Sequence, residues 1–167
     1  PGSGTNTTSM SLTDDDFRTY TFASMGSFSY FGTPYTSFHV GSNGYIYFGA
    51  SGITTIPSDG TFIAGNAAVC ALCSDMTGDG ATITVDEFTD RVAVTYDNFS
   101  HLSGGTPTDV QLIFHSDGRI QVAYHSVSLT SFFEWDMVVV GVGSGMGLGP
   151  ELDFFVPPPE ICDNSSD

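Results

Sequence analysis

Apolar and polar residues alternate along most of the chain, in short runs that end at Gly, Pro, Asn or Asp. A period of two residues is typical of β-strands that bury one face. The clearest such stretch is 108–124, where two β-rich runs flank Asp117-Gly118. Asp-Gly favours a two-residue turn in which both residues have positive φ, and Asn43-Gly44 predicts a second hairpin over 38–49. No stretch has the periodicity of an amphipathic helix of normal length, so we predict an all-β fold.

The turn at Asp117-Gly118 also predicts a register, in which Phe114 faces Gln121 and Leu112 faces Ala123. Apolar side chains then lie on both faces of the hairpin: Val110, Leu112 and Phe114 on one, and Ile113, Ile120, Val122 and Tyr124 on the other. A hairpin that is apolar on both faces belongs in the middle of a layered β structure rather than at its rim.

The chain of 167 residues is long enough for one self-sufficient hydrophobic core. About ten short strands separated by turns predict an antiparallel β-sandwich of jelly-roll type. We expect a flexible N-terminal arm over 1–16, the sandwich over 17–143, and a glycine hinge, a last strand and a proline-rich tail over 144–167. Because both end segments alternate apolar and polar residues, either could complete a sheet of a second copy, and the N-terminal arm is the better candidate.

The charge of the chain excludes several classes of partner. Three arginines and no lysine stand against 19 acidic residues, which gives a net charge of −16. Nucleic acids and anionic membrane surfaces both need cationic contacts, so we expect neither as a partner. No apolar run is long enough to span a membrane. The chain begins at Pro1, without Met and without a signal-like apolar segment, so we expect a processed chain or a piece of a longer one. Its many neutral polar residues are typical of secreted β proteins, so we expect it outside the cell or on its surface.

The three cysteines permit one intramolecular disulfide. In an extracellular chain we expect them to be oxidised. Cys70 and Cys73 lie on one predicted strand, where an extended backbone holds them too far apart for an easy mutual bond. We therefore predict that Cys162 is bonded to one of them. Their Cys-x-x-Cys spacing lacks the second pair of ligands that a zinc site needs.

Calcium is the one metal ion that the sequence suggests. Asp75, Thr77 and Asp79, followed by Gly80 and later by Asp86, match part of a calcium-binding loop of hard oxygen ligands. The predicted flanks are strands rather than helices, so an ordinary polar loop with a glycine turn is the alternative interpretation.

Two further kinds of candidate site lie along the chain. Asn6, Asn98 and Asn164 each begin an acceptor sequence for N-glycosylation. Phe132, Phe133 and Trp135 could stack against a sugar, or they could close one end of the core. We expect no enzymatic activity, because no Gly-x-Ser-x-Gly elbow is present and no pair of carboxylates is singled out.

Several segments together resemble the nidogen-like extracellular domain and its bacterial surface-protein relatives. Residues 38–49 resemble the pattern V-x-S-N-G-Y-I-x-F-G, residues 69–75 resemble I-A-P-L-W-S-D, and residues 110–124 resemble F-Q-V-V-L-Y-x-D-G-R-I-x-F-x-Y. Residues 91–99 fit between them, like the strand V-V-x-W-x-N-V of that family. The resemblance covers roughly 36–143 and implies a non-enzymatic domain of adhesive and matrix proteins. Cys73 departs from it, because the family usually has an aromatic residue there.

These observations lead us to expect an extracellular structural or adhesive protein that associates with copies of itself, as the subunit of a surface or matrix polymer such as a filament. Its other partners would be extracellular matrix or glycans. The alternative is a carbohydrate- or ligand-binding module of a larger secreted protein. We expect no cofactor other than calcium.

Overall fold

The computed structural model describes residues 5–49, 67–102, 104–127 and 139–145. Within these ranges the regular structure consists of strands, so the predicted all-β class is confirmed. No helix there is long and apolar enough to cross a membrane. The strands are β1 Asn6–Met10, β2 Phe17–Thr21, β3 Phe28–Tyr30, β4 Thr33–Tyr35, β5 Ser37–Gly41, β6 Tyr45–Phe48, β7 Ala67–Cys73, β8 Met76–Thr77, β9 Thr82–Glu87, β10 Arg91–His101, β11 Thr108–His115, β12 Ile120–Ser126 and β13 Val139–Ser144.

The strands form two main antiparallel sheets. Sheet I has the order β1-β9-β10-β11-β12, with β8 also paired to β10, and sheet II has the order β13-β7-β6-β5-β2. The remaining strands, β3 and β4, form a small hairpin. The chain passes from one sheet to the other after β1, after β7 and after β12. The predicted antiparallel sandwich is therefore confirmed.

The core lies between the two sheets and is rich in aromatic rings. Phe114 of sheet I contacts Phe38 and Phe48 of sheet II, with ring centroids 6.0 and 5.6 Å apart, and Phe28 at 5.2 Å. All four side chains are buried. Each such ring stabilises the fold by about 2–3 kcal/mol through burial alone, so these phenylalanines hold the sheets together.

The hairpin of β11 and β12 forms where it was predicted, but its register is shifted by one residue. Phe114 pairs with Ile120, and Leu112 pairs with Val122. The loop has three residues, 116–118, and the Gly118 N–H donates to the His115 carbonyl at 2.9 Å. Gly118 has φ of 89°, whereas Asp117 has no positive φ. This is the turn followed by a glycine bulge, not the two-residue turn that we predicted.

The shifted register changes the position of the hairpin in the fold. Ile120, Val122 and Tyr124 share a face with the buried side chains of β11, and Ile120 and Val122 pack against the core. Only one face of the hairpin is therefore strongly apolar, and the predicted two-sided burial is wrong. Within the described ranges β12 is the last strand of sheet I, at its rim.

The N-terminal segment is part of the sandwich from residue 6 onward. All five residues of β1 pair with β9, from Asn6 opposite Glu87 to Met10 opposite Ile83. Leu12, which follows β1, is buried in the core. Residues 6–12 of the expected flexible arm over 1–16 therefore belong to the sandwich, whereas residues 1–4 lie outside the described residues. The last strand and proline-rich tail predicted after residue 145 lie outside the described residues.

Candidate functional site

A disulfide joins Cys70 and Cys73 within β7. Their Cα atoms are 5.3 Å apart, whereas three residues of extended strand span about 10 Å. A β-bulge in β7 explains the difference. Cys70 pairs with Gly141 and Cys73 pairs with Val139, so a separation of three residues on β7 lies opposite a separation of only two on β13. The predicted bond from Cys162 to one of these cysteines is wrong. Cys162 itself lies outside the described residues.

Beside the disulfide, three connecting segments meet: residues 14–16, the 42–44 turn and residues 74–76. We call this meeting point the three-loop junction. The fully buried Asn43 holds it together, because its Nδ2 donates to Asp15 Oδ1 at 2.9 Å and its Oδ1 accepts from the Met76 N–H at 2.8 Å. An amide side chain can form both bonds at once, because its NH₂ group donates and its oxygen accepts.

Ser42 adds two hydrogen bonds to the same junction. Its N–H donates to the Asp16 carbonyl at 2.9 Å, and its hydroxyl accepts from the Asp16 N–H at 3.1 Å. The Ser-Asn-Gly turn was predicted as a hairpin turn only. In the structure it also fixes the position of the acidic segment that precedes β2.

The junction brings three carboxylates together. One oxygen each of Asp14, Asp15 and Asp75 lie within 4.8 Å of one another. Asp14 and Asp15 are exposed, and Asp75 is half-buried. The sequence had singled out Asp75 but not its two neighbours, because their proximity depends on the packing of loops that are distant along the chain.

The structure does not gather the predicted calcium loop. Thr77 lies opposite Ser100 of β10, and Asp86 lies opposite Ala93 of the same strand. Those two β10 positions are seven residues apart, which corresponds to about 20 Å. Asp86 instead accepts a hydrogen bond from the Thr7 hydroxyl at 2.6 Å, while Asp79 is exposed in the turn after β8.

Two of the three predicted glycosylation sites lie on exposed positions. Asn6 is exposed on β1, at the edge of sheet I. Asn98 is exposed in an irregularity of β10, with φ of 64°, and its N–H donates to Asp109 Oδ1 at 2.9 Å. Asn164 and the predicted aromatic platform of Phe132, Phe133 and Trp135 lie outside the described residues.

The sequence of this sandwich matches a known protein family. The profile of the family described as NIDO related matches residues 2–144. The chain belongs to the nidogen-related family. The match begins before β1 and ends with β13, so it confirms the resemblance over 36–143 and extends it to the first strands. No curated protein and no solved structure matches the chain. Family membership and the disulfide both indicate a domain of extracellular type.

In this nidogen-related domain a row of aromatic rings lies on the outer face of sheet II. The His39 ring stacks on Tyr47 with centroids 5.9 Å apart and meets the edge of Phe17 at 5.4 Å. Its Nδ1 is 2.9 Å from the Thr19 hydroxyl, and its Nε2 is 3.0 Å from the Gly49 carbonyl. Phe17, His39 and Tyr47 alternate with core residues along β2, β5 and β6. This alternation in the sequence could have predicted the aromatic row.

Proposed function

We propose that this nidogen-related domain is an extracellular structural or adhesive protein, without catalytic activity, that associates with copies of itself by exchanging β1. The family and the disulfide support the extracellular setting. The observation that supports exchange is the way in which β1 is attached to the rest of the sandwich.

β1 is held to sheet I by its backbone and by a few side-chain contacts. All five of its residues pair with β9, and none of its side chains is fully buried, although Met10 packs against the core. The same backbone hydrogen bonds form when β1 comes from another copy, so exchange leaves the number of hydrogen bonds unchanged. Leu12 anchors the chain to its own core directly after β1 and the exposed Ser11, which places the hinge at Ser11. Exchange repeated head to tail gives a filament.

Deletion of residues 1–10 tests this proposal. We expect the full chain to form oligomers and the shortened chain to remain a folded monomer, as measured by size-exclusion chromatography with light scattering. The deletion stops before Leu12, because its loss would leave a cavity in the core.

Ser9→Ala is the matched control. Ser9 is exposed on β1, and the substitution keeps the backbone, so this variant should assemble as the wild type does. Assembly of the shortened chain to the same size as the full chain would rule out β1 as the connecting element.

The aromatic row on sheet II favours a second candidate, a carbohydrate- or ligand-binding module. Half-exposed rings beside hydrogen-bonding groups suit the apolar face and the hydroxyls of a sugar. Glycan binding that is lost in Tyr47→Ala but kept after deletion of residues 1–10 would favour this function over self-association.

A further inference from the structure

Tyr45, the residue that follows the 42–44 turn of the three-loop junction, carries a buried hydroxyl group. Tyr45 is 1% exposed, and its hydroxyl has no hydrogen-bond partner. A buried polar group without a partner is unfavourable, and such groups are rare in folded proteins. A water molecule or a ligand beside the Tyr45 hydroxyl would satisfy it.

The Tyr45 side chain extends towards the acidic segment. Its ring crosses β5 at Gly41, where an added Cβ would collide with Tyr45 Cζ. Gly41 pairs with Phe17, the first residue of β2, so the hydroxyl end of the ring approaches the residues just before Phe17. Burial, followed by the charges of Asp15 and Asp16, raises the pKa of Tyr45, which agrees with this direction.

The arginines of the chain are engaged with other carboxylates. The chain has three arginines and no lysine. Arg18 binds Asp16 at 2.7 Å, Arg91 binds Asp90 at 3.1 Å and Arg119 binds Asp117 at 2.8 Å. Carboxylates as close together as those of Asp14, Asp15 and Asp75 repel one another, and a bound cation would relieve that repulsion.

The chemistry of the donors favours calcium. The cluster offers carboxylate oxygens and contains no His or Cys, which disfavours zinc. Calcium accepts irregular shells of six to eight oxygens, including water and backbone carbonyls, whereas magnesium demands near-octahedral geometry. We propose that Asp14, Asp15 and Asp75 bind a calcium ion, and that the Tyr45 hydroxyl hydrogen-bonds to a water molecule of its coordination shell. This site is independent of strand exchange.

An NMR titration of the full, chelator-treated chain with CaCl₂ at constant ionic strength tests the site. We expect saturable shifts of the amides in 14–16, 42–44 and 74–76, with a Kd of about 10⁻⁴–10⁻³ M, the range of extracellular calcium modules. Asp15→Asn and Asp75→Asn should each weaken binding by about tenfold or more. No saturable binding, or an equal affinity for MgCl₂, would overturn the assignment.

Asp79→Asn is the matched control, since Asp79 is exposed and belongs only to the set of ligands that the sequence predicted. It should bind calcium as the wild type does. Loss of binding in Asp79→Asn, with full binding in Asp15→Asn, would place the ion elsewhere and overturn the proposal.

Tyr45→Phe tests the hydroxyl separately. Because that hydroxyl has no partner in the protein, its removal should not lower the melting temperature without calcium. We expect calcium affinity to fall by about threefold or more, through loss of one water-mediated hydrogen bond. Unchanged affinity would show that the hydroxyl does not face the ion.

Discussion

Glu87 shows at the scale of one residue how this acidic chain keeps a carboxylate in its interior. The side chain is fully buried on β9 and accepts hydrogen bonds from the Tyr20 hydroxyl at 2.8 Å, and from the N–H groups of Ala23, Ser24 and Met25 at 2.9, 2.7 and 2.7 Å. These bonds hold the segment after β2 against sheet I. They also satisfy three backbone N–H groups that lie beyond the end of β2.

The same contacts set the pKa of this group. Burial alone raises the pKa of Glu87, but the hydrogen bonds from Met25, Ala23, Tyr20 and Ser24 outweigh burial and lower it. A carboxyl whose pKa is lower in the folded state stabilises the fold above its unfolded pKa, and this contribution is lost as pH falls through the folded value.

Glu87→Gln should lower the free energy of unfolding by about 2–4 kcal/mol at pH 7, because a neutral amide has only one acceptor atom for these donors. Urea unfolding between pH 7 and pH 3 measures it. The wild type should lose stability below about pH 4.5, and the variant should lose less. Asp90→Asn, on an exposed acid in the next turn, is the control. An equal acid-induced loss in Glu87→Gln would show that another carboxyl causes it.

At the scale of the element, two turns have the same backbone conformation. Gly44 and Gly118 each end a three-residue loop, with φ of 79° and 89°, and each N–H returns to the residue three positions earlier. Their surroundings differ. Gly118 has open space where a Cβ would lie, whereas a Cβ on Gly44 would collide with the Leu72 carbonyl oxygen of β7.

This difference predicts unequal costs for the same substitution. Gly118→Ala should lower the free energy of unfolding by about 1–2 kcal/mol, since only the positive φ penalises it. Gly44→Ala should cost about 3 kcal/mol or more, because the backbone of β7 must also move. Urea unfolding of both variants makes the comparison. Equal costs would mean that β7 does not pack against the 42–44 turn.

At the scale of the whole molecule, charge opposes compaction. A net charge of −16 on 167 residues is concentrated by folding, and self-repulsion destabilises the compact state. The sandwich is stable against it because its core is continuous between the sheets and because Glu87 is the only buried acid among the eleven in the described residues. Salt should therefore stabilise this protein by screening.

Raising NaCl from 0.01 to 0.1 M shortens the screening length from about 30 to about 10 Å. We expect the melting temperature to rise by about 2–4 °C in the presence of a chelator, which removes any effect of calcium. The Asp79→Asn, Asp97→Asn double variant removes two exposed charges and should show a smaller rise. A melting temperature that falls with salt would contradict the dominance of self-repulsion.

The sequence by itself determined the class of fold, the two hairpins and much of the core. These properties depend on local signals, because alternation assigns each side chain to a face and a glycine after Asn43 or Asp117 marks a turn. The family resemblance over 36–143 rested on the same strands and turns.

Only the tertiary structure decided the register of β12, the Cys70–Cys73 bond and the partner of β1. The first two each depend on a one-residue irregularity: a glycine bulge after Asp117 and a strand bulge in β7. The alternation of apolar and polar residues gives no sign of such a bulge. Each bulge nevertheless shifts the pairing of every later residue in its strand. The meeting of Asp14 and Asp15 with Asp75 has a different cause. It joins segments about sixty residues apart through the buried amide of Asn43, and such long-range packing has no local signature in the chain.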